Sequence, residues 1–146
     1  MKLHKALKIK NRIIGDINRI KGLIQRDNSK KSDKYDAVAV SGYFVELDQS
    51  IDALISLKSR IQIATAPISH KLLAMAEYKG QLTWYPDLSV KDGTYEETNY
   101  RTNAVVTEQW AAYFTQDMVD AKLVFLQKKV EALQDEIDEH NATTDI

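Results

Sequence analysis

The stretch "VDAKLVFLQKKVEALQDEIDEH", residues 119–140, decides the fold: Val119, Leu123, Leu126, Val130, Leu133 and Ile137 recur at alternating intervals of four and three residues. This spacing returns a side chain to the same helix face every two turns, and most intervening residues are polar. The segment therefore reads as a helix with a narrow apolar seam for a partner helix. A second row, Trp110, Phe114, Met118, Ala121 and Phe125, carries helical spacing upstream. With Thr107 as N-cap and Glu108 in the first turn, the helix is predicted over about 107–141.

Upstream, Leu3, Leu7, Ile13, Ile14, Ile17, Ile20 and Ile24 mark an amphipathic helix over about 2–27, with Lys10 interrupting its apolar face. Gly15 and Gly22 lie seven residues apart on nearly the same side, where they either admit another backbone or are weak points in the helix. From Asn28, "NSKKSDKYD" has turn formers, charge and no periodicity, so it reads as a loop. A second helix is expected over about 42–65, with a heptad seam of Phe44, Leu47, Ile51, Leu54 and Ile61 and Lys58 as its polar member. Tyr43, Ile55 and Leu57 widen that stripe. Ala66-Pro67 should break the pattern, because the residue before proline avoids helical dihedrals.

After Pro67 two readings compete. Ile68, Leu72, Met75, Tyr78, Leu82 and Tyr85 continue at helical spacing through Gly80 to Pro86, giving a helix over about 68–85. The alternative caps the helix at Gly80 and makes Gln81–Tyr85 a strand. Spacing favours the helix. Next, "LSVKDGTYEE" has the form of a hairpin turning at Asp92-Gly93, within an extended insertion over about 87–106. The fold class is thus mainly α: an antiparallel helical hairpin or coiled-coil bundle with a small β-hairpin insertion, in a single domain over 1–146.

At 146 residues, 44% hydrophobic and 28% charged, the chain has the composition of an ordinary globular domain, able to bury roughly 70% of its unfolded surface if compact. It contains no cysteine, which removes disulfide scaffolds, iron-sulfur clusters and thiol catalysis. No run of about 18 apolar residues occurs, and lysines interrupt the N-terminal segment, so neither a membrane span nor a signal peptide is expected. A cytoplasmic protein is the expectation. Charge is uneven: residues 1–34 hold eleven Lys and Arg against three Asp, whereas residues 131–146 hold six acids and no Lys or Arg. The two ends should attract each other.

The closing segment, with its tail Asn141-Ala142-Thr143-Thr144-Asp145-Ile146, resembles a group of small uncharacterised helical coiled-coil proteins of bacteria and their phages. These combine an N-terminal amphipathic helix beginning "MKL", a central helix, a short extended insertion and a C-terminal coiled coil with an Asn-x-Thr-Thr tail. Some related members carry the label septicolysin, which implies a cytolytic toxin; no stretch here reads as a membrane-inserting segment. Ala142 stands where some relatives have tryptophan. The resemblance implies a helical fold and a homo-oligomer, not a reaction.

No catalytic set can be assembled, so the protein is expected not to be an enzyme and to need no cofactor. His4, His70 and His140 lack partners at metal-ligand spacing, and the acids Glu131, Asp135, Asp138 and Glu139 suit a solvated helix face. Nucleic acid is an unfavoured partner, because no aromatics interleave with the N-terminal lysines. The aromatic-rich stretch holds Trp84, Tyr85, Tyr95 and Tyr100, with Arg101 and Asn103 beside them. These six suit a pocket for a small anionic, nucleotide-like ligand at a subunit boundary, or the subunit interface itself. Trp110, Phe114, Leu123, Leu126, Val130, Leu133 and Ile137 are the expected oligomer interface. The leading expectation is a homo-oligomeric interaction or scaffold protein with an unidentified protein partner.

Overall fold

A computed structural model describes all 146 residues. The chain forms helices α1 (Leu3–Asp27), α2 (Ala37–Thr65) and α3 (Ser69–Trp84), strands β1 (Gly93–Asn99) and β2 (Ala104–Trp110), and helix α4 (Gln116–Thr143). It is mainly α with an antiparallel hairpin, the class expected from spacing. Two compact units result, one of Met1–Ser69 with Ile137–Ile146, the other His70–Glu136.

In the first unit, α1 and α2 run antiparallel, joined by the polar loop of residues 28–36. Asp36 starts α2 by accepting a hydrogen bond from Ala39 N at 3.1 Å, so the helix begins at Ala37 and not near Gly42. Within α1, Leu3, Ala6, Ile17 and Ile20 are buried and Lys10 is only half-buried. On α2 the row Leu47, Leu54 and Ile61 faces inward as expected, preceded by buried Val40. Its companion row lies on the other flank, through Tyr43 and Leu57 in place of Phe44 and Lys58. Phe44 is 43% exposed and Lys58 is exposed. The reason is desolvation: seating Leu57 beside Leu3 and Ala6 costs no charge burial, whereas Lys58 would lose its hydration. Gly15 and Gly22 meet nothing within 4 Å of an added Cβ, so no backbone of this chain uses them for close approach.

The start of α1 and the end of α4 complete each other. Lys2 offers no side-chain cap, and Leu3 N instead donates to Thr144 O at 2.9 Å. In return Lys2 Nζ donates to Thr143 O at 2.9 Å and to the Asp145 carboxylate at 2.8 Å, and Ile146 N donates to Met1 O at 2.9 Å. The attraction expected between the basic and acidic ends is realised at this joint, where Lys2 and the N-terminal amine face Asp145. Beneath it Leu3, Ala6, Leu57 and Ile61 form a core cluster, with Ile146 packed against it. His140 Nε2 lies 2.9 Å from Ala64 O, tying the end of α4 to α2.

The α-helix breaks at the proline as expected, α2 ending at Thr65 and α3 starting at Ser69, but the dihedral reason does not hold. Thr65 to Ser69 pass through a 3-10 turn, and Ala66 keeps helical dihedrals (φ −51°, ψ −42°) although it precedes Pro67. In the second unit α3 continues across Gly80 to Trp84, and the strand alternative for Gln81–Tyr85 is not adopted. Lys71 pairs with Glu136, and Lys129 Nζ sits 5.2 Å from the Tyr78 ring, which sets α3 and α4 antiparallel there. Val119, Leu126, Val130 and, in the first unit, Ile137 are the buried members of the α4 seam.

Three boundaries differ from expectation. Helix α4 starts at Gln116, where Met118 N donates to Thr115 Oγ1 at 3.3 Å; Thr107 and Trp110 lie instead on β2. Gly93 opens β1 opposite Trp110, with φ +100°, and is not a turn centre. The reversal falls at residues 100–103, where Asn99 O accepts from Asn103 N at 2.8 Å and Asn99 Oδ1 accepts from Arg101 N at 3.0 Å. Asn103 takes the left-handed conformation, φ 54°, that asparagine tolerates.

Two outcomes test this arrangement. Leu57→Ala should cost about 2–5 kcal/mol in urea unfolding, whereas Lys58→Ala should stay within about 0.5 kcal/mol. Asp145 is held below the usual carboxylate range, chiefly by the Lys2 hydrogen bond and then by the charges of Lys2 and the N-terminal amine, with burial opposing. A lowered folded value means that the stabilisation is present above the ordinary aspartate pKa of about 3.9 and is lost as pH falls through the lower folded value. Melting temperatures of the native chain and Asp145→Asn should therefore differ slightly at pH 7 and converge in strong acid.

Candidate functional site

The six aromatic-region candidates all belong to the second unit but occupy separate places in it. Trp84 ends α3, 56% exposed, and meets Tyr85 edge-on with ring centroids 5.0 Å apart. Tyr85 leans on Phe114 at 5.6 Å in the turn that contains Pro86. Phe114, expected on a helical row, thus fastens the approach to α4 against the end of α3.

Tyr95 lies on β1. On the hairpin, Tyr95 pairs with Glu108 and Gly93 with Trp110, so Tyr95 and Trp110 are diagonal neighbours on one face. Because Gly93 has no side chain, the Trp110 ring has no neighbour directly across from it. Lys91 Nζ enters there, 4.3 Å from the Tyr95 ring centre and 4.2 Å from that of Trp110. An ammonium between two π faces gains electrostatic attraction from both. Trp110 Nε1 also donates to Glu108 Oε2 at 3.3 Å, which orients the indole.

Tyr100, Arg101 and Asn103 sit in the turn at the opposite end of the hairpin, and Tyr100 is 92% exposed. Six residue steps along β1 separate that turn from Gly93, about 20 Å at roughly 3.3 Å per residue. A single chain therefore does not gather the six into one pocket: it makes an aromatic pair at the helix end, a cation-holding pair at the hairpin base and a bare tip.

Of the expected interface residues, Leu126, Val130 and Ile137 are buried within one chain, and Leu123 and Leu133 are half-buried. Their seam is occupied by the chain itself. Trp110 of the expected set is 43% exposed, and further apolar side chains are open as well: Met118, Val124 and Phe125 on α4, and Val105 and Val106, on opposite faces of β2, are each at least 40% exposed. Leu82 and Pro86 border one groove of about 630 Å³ with Leu123 and Val124, and Lys128 and Glu131 stand among its lining residues. The sequence contained a signal for this surface in Val124-Phe125, two apolar residues beside a seam that needs neither.

No three His, Asp or Glu side chains gather as a metal site, and no helix is long and apolar enough to cross a membrane. His70 is exposed, His140 bonds Ala64 O, and His4 is half-buried with Nδ1 unpartnered.

The caged lysine makes a sharp test. Replacing Trp110 with alanine should reduce the upfield ring-current shift of the Lys91 side-chain protons in NMR spectra, leaving the part due to Tyr95, and Lys91→Met should cost about 0.5–1 kcal/mol. Comparison with protein-family models, with curated proteins and with solved structures finds no match for the chain.

Proposed function

We propose that the protein acts by binding rather than by catalysis, as a homo-oligomeric helical scaffold whose second unit is completed by contact with another copy. The observation that carries this reading is the accessible surface, 10729 Å². A compact monomer of 16.6 kDa should expose about 7600 Å², and two compact units of about half that mass each about 9100 Å² together; the observed value exceeds both and corresponds to burying only about 55% of the unfolded surface in place of the roughly 70% expected from length. The excess over two separate units is about 1600 Å² per chain, about 3200 Å² for two copies, in the range of obligate homodimer interfaces.

The distribution of burial supports the same conclusion. Between His70 and Glu136 only Val119, Leu126 and Val130 are buried, and α3 contributes no buried residue at all. Every residue of both strands is exposed. A free two-stranded hairpin is marginal in water, and a helix pair with one covered side leaves apolar area that monomers rarely expose. A second copy supplies the missing side. The implied resemblance to oligomeric coiled-coil proteins of bacteria and phages agrees with an assembly role.

Size-exclusion chromatography with light scattering at micromolar concentration should report a dimer or larger assembly, with a melting temperature that rises with protein concentration. A folded monomer with a concentration-independent melting temperature would remove the proposal.

A further inference from the structure

We infer that two copies of the chain join through the free edge of β2, forming a four-stranded antiparallel sheet about a twofold axis at Thr107. This rests on the homo-oligomer reading and specifies the surface that carries it. The hairpin has two edges, since its sheet contains only β1 and β2. Each edge presents backbone N–H and C=O groups that another strand can pair with.

The two edges differ in what a second copy would meet. Each strand has seven residues, so full overlap of a strand with its own copy, antiparallel, places the middle residue opposite itself. For β1 the middle residue is Glu96, flanked by Glu97, and full overlap opposes two carboxylates at the axis. Like charges directly across a strand pair are destabilising. For β2 the middle residue is Thr107, and the same operation sets Thr107 against Thr107, Val106 against the partner's Glu108 and Val105 against the partner's Gln109. No like charges face each other, and threonine pairs and β-branched residues suit paired strands. Neither proline nor lysine, the usual guards of an exposed edge, occurs within β2. Pairing β1 of one copy with β2 of the next would be heterologous and would not close on two copies; the β2 pairing is isologous and does.

This register has a consequence for the candidate site. Ala104, beside the hairpin turn, comes opposite the partner's Trp110, at the hairpin base. The turn bearing Tyr100, Arg101 and Asn103 is thereby delivered to the partner's Lys91, Tyr95 and Trp110. Residues about 20 Å apart in one chain meet at the subunit boundary.

The absence of cysteine makes the test clean. Residues opposed in antiparallel strands have Cα atoms about 4.5 or 5.5 Å apart, within disulfide range. Under mild copper-phenanthroline oxidation, Thr107→Cys should convert mostly to a covalent dimer, whereas Glu96→Cys, on the far edge of the joined sheet, should remain uncross-linked. If Thr107→Cys stays uncross-linked while light scattering reports an oligomer, or if Glu96→Cys cross-links as well or instead, the edge assignment is overturned and the oligomer reading stands. A folded monomer by light scattering overturns both.

Discussion

The joint between Lys2-Leu3 and Thr143-Thr144-Asp145 is the constraint on which the first unit depends. A helix N-terminus that lacks a side-chain cap leaves unsatisfied N–H groups, and a helix C-terminus leaves carbonyls. Here the two deficits cancel: Leu3 N donates to Thr144 O, and Lys2 Nζ donates to Thr143 O. The exchange holds Leu3 and Ala6 over Leu57 and Ile61, and so fixes which flank of α2 faces inward. It also seats the end of α4, where His140 meets the Ala64 carbonyl. The Lys2–Asp145 ion pair is exposed, and its part is to position the backbone exchange more than to stabilise it.

The second unit is organised by a shortage. Helix α3 buries no residue of its own, and the hairpin none, so apolar side chains there stay open to solvent. Surface of this kind is a liability in a monomer and a resource in an assembly. Lys91 partly offsets it by filling the space above Tyr95 and Trp110 with its own stem and charge.

Periodicity was a sufficient guide wherever a helix had one clear apolar row. The seam from Val119 to Ile137, the α1 face and the passage of α3 through Gly80 all follow from spacing alone. It misled where apolar residues occupy several flanks. On α2, Phe44, Val45, Ile55 and Ile63 are exposed, so apolar identity did not distinguish Leu57 from the neighbouring row through Lys58; only the chemistry of burying an ammonium does. Trp110, Phe114 and Met118 are spaced by four and imitate a helix, although the first lies on a strand and the second in a connection. Asp92-Gly93 carried the stronger hairpin signal by composition, yet Asn99 and Asn103 make the turn through local hydrogen bonding and a left-handed backbone. The aromatic candidates were visible as a composition. Their separation along the hairpin was not, because it depends on where that turn falls.

The mutual completion of α1 and α4 links residues 141 positions apart in the chain. During synthesis the first helix therefore emerges with its leading N–H groups bonded only to water and the apolar pair Leu3 and Ala6 uncovered, and it keeps that state until residues 143–146 have been made. Closing so long a loop carries an entropy cost that local contacts must first offset, so α1 and α2 would have to hold together without their cap before the closing residues arrive. The alternating three-and-four spacing of Ile13, Ile17, Ile20 and Ile24 along the remainder of α1 gives that waiting pair enough apolar contact to form early.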